Sequence, residues 1–191
     1  MDLLERNAAE YEAGRPPRVL STAPARYLVV PGGGLALDAR SALIHAVAAA
    51  LRDRARQERG KDFRIPPLEA QWWGGPEQAP MGDGVAYRLL LRMPTFVAAR
   101  DVAAVAMELS GGDPAAAPPV RLEEVREGRC MQALWTGGPE AAPAVLERIR
   151  VAIADQGLLP RGRLHAVYLT DPTRVAPDRR RAVLRQPVRT R

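Results

Sequence analysis

The chain predicts an α+β fold built from two modules of one design. Three observations carry this expectation. Short apolar runs bounded by Gly and Pro read as strands. Longer stretches repeat apolar residues at helical spacing. The order strand, long helix, strand, strand then occurs twice, on either side of an Ala/Pro-rich run at 113–119. The repeat is one of pattern and not of sequence. It sets module one at about 20–110, a linker at 111–119 and module two at about 120–188.

The elements follow in order. Residues 1–25 are polar and proline-punctuated, with room for a short helix before Gly14. Arg26 to Pro31 (RYLVVP) reads as a buried strand, and Gly32-Gly33-Gly34 as a tight turn into a helix from about Asp38 to Arg59. Its stripe is Ile44, Val47, Leu51 and Ala55, with Asp38 as N-cap and Gly60 as stop. A strand holding Trp72 and Trp73 lies between Pro66-Pro67 and Gly74-Gly75, and a Gly/Pro-rich loop runs on to Gly84. Val85 to Met93 is a strand with Arg88 and Arg92 on one face and Tyr87, Leu89 and Leu91 on the other. Thr95 caps a helix whose stripe is Val102, Val105, Ala106 and Leu109. In module two, 121–125 and 129–136 are strands, Pro139 to Gln156 is a helix facing inward through Val145, Leu146, Ile149 and Ile153, and Arg163 to Thr170 is a strand. A helical turn at 177–182 and a last strand at 183–188 complete it.

Composition narrows the function classes. With 191 residues and a hydrophobic fraction of 47%, the chain can bury a sizeable core. A single cysteine, Cys130, permits no internal disulfide. Residues 1–18 lack the basic-then-apolar pattern of a signal peptide, and no apolar run approaches the ~20 residues that cross a bilayer. The expectation is a soluble cytoplasmic protein with no membrane partner. The net charge of +6 is a property of the C-terminal end, where nine arginines stand against two aspartates from Arg161 onward. The first 160 residues are therefore close to neutral, and nucleic acid is not an expected partner.

Several chemistries are tested and set aside. Gly32-x-Gly34 lacks a third glycine, no Gly-Lys-Ser/Thr follows, and Asp53 falls inside a helix, so a nucleotide cofactor is not expected. His45, His165 and Cys130 are scattered without metal-ligand spacing, and no metal is expected. No glycine-flanked serine elbow is present.

What remains is aromatic. Along the Trp strand, Glu69, Gln71 and Trp73 share one face, and Leu68, Ala70 and Trp72 the other. A carboxylate beside an indole suits a planar organic ligand. Trp72, Trp73, Tyr87, Trp135 and Tyr168 all fall on expected strands, which a sheet can gather into one wall of a small-molecule site.

Four stretches carry a resemblance. They are Arg64-Ile65-Pro66-Pro67-Leu68-Glu69-x-x-Trp72-Trp73, Arg92-Met93-Pro94-x-Phe96-Val97, Cys130-x-Gln132 with Gly137, and Tyr168-Leu169-x-Asp171-Pro172-x-Arg174-x-x-Pro177 through Leu184-Arg185-Gln186-Pro187-Val188. Together they resemble the GyrI-like small-molecule-binding proteins, in the stand-alone branch that includes cyclopropanoid cyclopropyl hydrolases. The likeness covers residues 15–188 as one domain. It implies two pseudo-twofold-related strand-helix-strand-strand modules with a ligand cleft between them, and aromatic, often cationic ligands. In the family a late strand reads His-Glu-Ile/Val-Tyr-Leu; here it reads His165-Ala166-Val167-Tyr168-Leu169, so Ala166 stands at the family's carboxylate. Trp135 stands where the family has a histidine or similar residue and enlarges the aromatic wall.

The resulting expectation is a hydrolase that opens cyclopropane-bearing DNA-alkylating compounds, giving detoxification or antibiotic resistance. Glu69 activates water, Tyr168 donates to the carbonyl oxygen, and Trp72, Trp73, Trp135, Tyr87 and Ala166 line the ligand site. The alternative is a protein that sequesters or senses a ligand without turnover; a topoisomerase-binding inhibitor is a third, weaker reading. A monomer and a homodimer are both compatible with the sequence.

Overall fold

The computed structural model describes residues 2–32, 37–75 and 84–191. Two short helices, α1 (Leu3–Arg6) and α2 (Ala8–Tyr11), lead into β1 (Arg18–Thr22) and β2 (Ala25–Pro31). Module one continues with α3 (Leu37–Arg59), β3 (Glu69–Trp73), β4 (Ala86–Met93) and α4 (Ala99–Leu109). Module two contains β5 (Arg121–Val125), β6 (Gly128–Thr136), α5 (Ala142–Asp155), β7 (Leu158–Pro160), β8 (Leu164–Tyr168) and β9 (Arg181–Thr190). Single 3₁₀ turns at Pro139–Ala141 and Pro177–Arg179 occupy the proline-led starts. Parts of the triple glycine and of the expected 74–84 loop, at 33–36 and 76–83, lie outside the described residues.

One antiparallel sheet runs in the order β1-β6-β9-β8-β3-β4-β2-β5, with β7 on the far end of β9. The order displays the two modules. β6-β9-β8 and β3-β4-β2 are mirror sequences of the same strand-helix-strand-strand unit, meeting where β8 pairs β3. The α+β two-module fold expected from the sequence is the fold observed.

The sheet cannot be flat. Strand β1 pairs β6 at one end, yet only Ala23 and Pro24 separate it from β2 near the other. Likewise only Arg126 and Glu127 separate β5, on β2, from β6. At roughly 3.5 Å per residue such links span about 11 Å. The two ends of the sheet are thereby brought together, and the sheet is rolled.

The outer face of the roll carries the helices. Leu28, Val30, Leu89, Leu91, Met131, Ala133 and Leu184 form a single apolar core with Ile44, Val47, Leu51 and Val105 from α3 and α4 and Val145, Ile149 and Ile153 from α5. Each fully buried Leu, Ile or Val contributes about 1.5–3 kcal/mol of transfer free energy. The expected stripe of α3 is the buried one. Gly60, at φ +61, ends the helix and lets Lys61 N–H turn back to the Ala55 carbonyl.

Details of the helix starts differ from expectation. α3 already includes Leu37, so Asp38 lies inside the first turn, where its charge suits the N-terminal dipole. α4 begins at Ala99 and not at Thr95, because Pro94 to Val97 closes a turn of its own. The cap is the Asp101 carboxylate, which accepts the Ala98 N–H at 2.8 Å and pairs with Arg59. Ahead of Arg15, Leu3 and Tyr11 are buried. No described helix is long and apolar enough to cross a membrane.

Candidate functional site

Strand alternation sorts the chemistry onto two faces. On the helix side, register sets three rows across the middle of the sheet. The first is Trp135–Ala182–Tyr168 across β6, β9 and β8. The second is Ala133–Leu184–Ala166–Ala70–Leu89. The third places Leu164 beside Trp72 and Trp72 beside Tyr87. Two aromatic pairs thus flank a trough floored by Ala70 and Ala166. Trp72 and Tyr87 are stacked with centroids 4.9 Å apart and planes at 32°, and Trp135 and Tyr168 stand 6.5 Å apart at 57°.

The trough lies between the helices, since α3 covers β2 and β4 while α5 covers β6 and β9. An apolar cavity of about 400 Å³ opens under α5, lined by Leu146, Ile149 and Ile153 of α5, Leu158 and Leu159 of β7, and Leu164; it meets the trough through Leu164, beside Trp72, and none of the expected site residues lines it. Its size falls within the ~300–1,000 Å³ of small-molecule sites. Arg150 and Gln186 bring polarity to its rim.

Polar groups in the trough are few. Trp135 Nε1 donates to the Gly138 carbonyl at 3.1 Å. Trp72 Nε1 is buried with no hydrogen-bond partner among the described residues. Burial pushes the Tyr168 phenol up to about 12, with the neighbouring Trp72 N–H and Arg180 pulling the other way. Tyr168 therefore stays protonated at neutral pH and can donate. Gly32 abuts this wall: a Cβ there would stand 2.3 Å from the Tyr87 carbonyl oxygen and 2.8 Å from its ring.

The reverse face, inside the roll, is polar. Gln132, Arg185, His165, Gln71 and Arg88 form one row across five strands. Glu127 reaches in from the β5–β6 link and accepts from Gln71 Nε2 at 3.1 Å. His165 lies between two carboxylates, with Nδ1 2.8 Å from Glu127 and Nε2 2.9 Å from Glu69. The Glu127 contact is an aligned hydrogen bond; the Glu69 contact is a charge pair off the N–H line. Arg185 Nη1 stands 3.4 Å from Glu127, and Arg92 pairs with Glu10 at 2.9 Å.

Burial would drive the His165 pKa down, but Glu127 and Glu69 overcome it and hold it near 9. Burial would raise Glu127, but His165 and Arg185 pull it to about 2. With His165 as imidazolium, Glu69, Glu127 and Glu10 are balanced by His165, Arg92 and Arg185. That balance is what makes six buried ionisable groups tolerable. Helices α1 and α2 close this chamber. Tyr11 donates to Glu69 at 3.2 Å, Arg185 to the Glu10 carbonyl at 2.5 Å, and Gln132 to the Glu12 carbonyl at 2.8 Å.

The expected site residues divide between the faces. Trp72, Tyr87, Trp135, Tyr168 and Ala166 come together on the helix side. Glu69 does not join them: it points into the chamber and is 1% exposed, with the sheet between it and the Tyr168 side chain. The alternation of β3 and β8 dictates this, since Glu69 sits opposite Val167, one residue out of phase with Tyr168. Trp73 is also on the reverse face, 37% exposed, with the Arg163 guanidinium 4.0 Å from its ring centroid. Sequence reasoning missed the chamber. Its signal was the polar residue at alternate positions of otherwise apolar strands, Gln132, His165 and Arg185.

The chain matches no protein-family profile and no curated protein. Solved structures do resemble it. A hydrolase from Listeria innocua superposes with TM-score 0.84 at 22% identity, covering 99% of this chain and 100% of that one. An uncharacterised conserved protein from Listeria innocua gives 0.86 at 23%, with the same coverage. The C-terminal domain of EcmrR gives 0.60 at 6%, covering 95% and 99%. The chain has the GyrI-like fold.

Proposed function

We propose that the protein binds a planar, uncharged aromatic molecule bearing a dienone carbonyl in the groove between its modules, and opens a cyclopropane spiro-joined to that dienone by adding water. The observation that supports this reading is the buried Trp72 N–H, without a hydrogen-bond partner among the described residues, beside the Tyr168 hydroxyl and between two aromatic pairs, with an apolar cavity reaching Leu164, the strand neighbour of Trp72. A buried donor without a well-formed bond asks for a ligand oxygen, because leaving it unpaired costs about 1–3 kcal/mol, and the Tyr168 hydroxyl beside it can donate to the same atom. The alanine floor favours neutral ligands, since a buried cation needs a partner charge. The hydrolase of the same fold from Listeria innocua sets hydrolysis as the class of reaction to test.

In the reaction, the water oxygen bonds to the strained methylene and a ring C–C bond breaks. The electron pair moves onto the carbonyl oxygen as a phenoxide, which Tyr168 stabilises by its O–H as charge develops. Glu69 has no part in this step and instead anchors the chamber. The activity would protect a cell exposed to such alkylators.

Incubation with a planar cyclohexadienone carrying a spiro-joined cyclopropane should give a product heavier by one water, seen by mass spectrometry. Tyr168→Phe should lower kcat/KM by about 10²-fold, the loss of one donor to a developing oxyanion. Unchanged turnover in that variant overturns the assignment. A second reading, ligand sequestration without turnover, is favoured by Ala166 at the trough centre; saturable quenching of tryptophan fluorescence with no product would select it.

A further inference from the structure

With Glu69 behind the sheet and Ala166 on the trough floor, none of the expected site residues on the helix side is placed to take the proton of the attacking water. We propose that His45 Nε2 is that proton acceptor, which deepens the reading above and rests on it. His45 lies on α3, on the flank of Ser41 and Arg52. The opposite flank of the helix carries Arg54, which pairs with Glu108 of α4. The His45 side of α3 therefore looks away from α4, toward the centre of the sheet and the groove. Burial would raise the Asp171 carboxyl, three residues beyond Tyr168, but Thr173 and Arg174 hold it below the ordinary carboxylate range, and His45 adds to that pull. The imidazole is thus within electrostatic reach of the segment that follows Tyr168.

Its tautomer is set by the helix. Nδ1 stands 2.7 Å from the Ser41 carbonyl, one turn back, an oxygen that can only accept. Nδ1 must carry the proton, which leaves the Nε2 lone pair outward and free to accept one. His45 is half-buried, so water reaches it. The charged groups around it are Asp171 with its partner Arg174, Asp38 one turn before Ser41, and Arg180 on the Tyr168 side. In the step, water gives its oxygen to the methylene and its proton to Nε2 while Tyr168 supports the phenoxide. The imidazolium proton then passes through solvent to the phenoxide, and the net change is addition of one water.

Two measurements test this. His45→Gln should slow ring opening by roughly 10²–10⁴-fold, while its tryptophan fluorescence is still quenched on binding the ring-opened phenol. A wild-type rate in that variant overturns the proposal while leaving the hydrolase reading standing; a wild-type protein that binds the phenol but never opens the ring overturns both. The second readout needs no turnover. The chain has two histidines and His165 is 0% exposed, so the N-carbethoxyhistidine absorbance formed by diethyl pyrocarbonate reports His45 alone. The bound phenol should protect His45 from it. Modification at an undiminished rate places His45 outside the groove and overturns the proposal even where the phenol binds.

Discussion

His165 has a carboxylate at each end of its ring and no exposed surface. Its removal leaves Glu69 and Glu127 facing each other in a dry space. His165→Ala should therefore destabilise the protein by about 3–5 kcal/mol, the cost of breaking a buried pair by deleting one partner, read as a lowered denaturant midpoint. The same residue sets the pH dependence. Its folded pKa of about 9 lies above the ordinary 6.5, so its contribution is whole below about pH 6.5 and is lost as pH rises through 9. Glu127, at about 2 against 4.5, contributes above pH 4.5 and loses that contribution as pH falls toward 2. Stability should be flat between about pH 4.5 and 6.5 and decline on both sides, measured by urea unfolding across pH; a maximum above pH 9 would contradict the ion balance of the chamber. Which residues would meet was only half legible in the sequence. The alternation of β3 places Glu69 and Trp72 on opposite faces, as observed; that Glu69 and Tyr168 part company depends on the β3–β8 register, which neither strand's own pattern specifies. Glu127 gave no local signal, because it acts from a link and its partners lie 38 and 58 residues away.

Among the elements, α1 and α2 are too short to persist alone. Their order comes from the carbonyls and side chains they lend to the chamber: Tyr11 to Glu69, Glu10 to Arg92, and backbone oxygens to Gln132, Arg185 and Arg18. Tyr11→Phe should cost about 1–3 kcal/mol, the loss of a hydrogen bond to a charged group. It should also speed amide exchange in residues 3–13, measured by mass spectrometry, before it affects α5. The long helices and central strands were legible because each carries a full apolar period. β1 and β7 were not: Arg18–Thr22 has no clean alternation and Leu158–Pro160 is three residues long. Both owe their conformation to the strands they pair with, β6 and β9. Tertiary pairing, which no local pattern reports, decides such segments.

At the scale of the molecule, the two modules share one sheet and one core, and β8–β3 joins them through their middle. Heat should unfold the chain in a single transition, with calorimetric and van't Hoff enthalpies in agreement. Two separated transitions would show that the modules are independent bodies. The repeated order of elements announced two modules in the sequence; the roll that binds them depends on two-residue links whose partners no periodicity names.

Those links have one more consequence. Each unit sends its leading strand across to the outer strand of the other: β1 goes to β6, and β5 goes to β2. Cut at the 113–119 run, either half would keep a leader with nowhere to dock and an outer strand with a bare edge. Two copies of a single half-length polypeptide could trade leaders in the same way and reproduce this sheet with every pairing intact. The geometry is that of a domain-swapped dimer written as one chain, and severed halves should recover their partner's strand only by finding each other again.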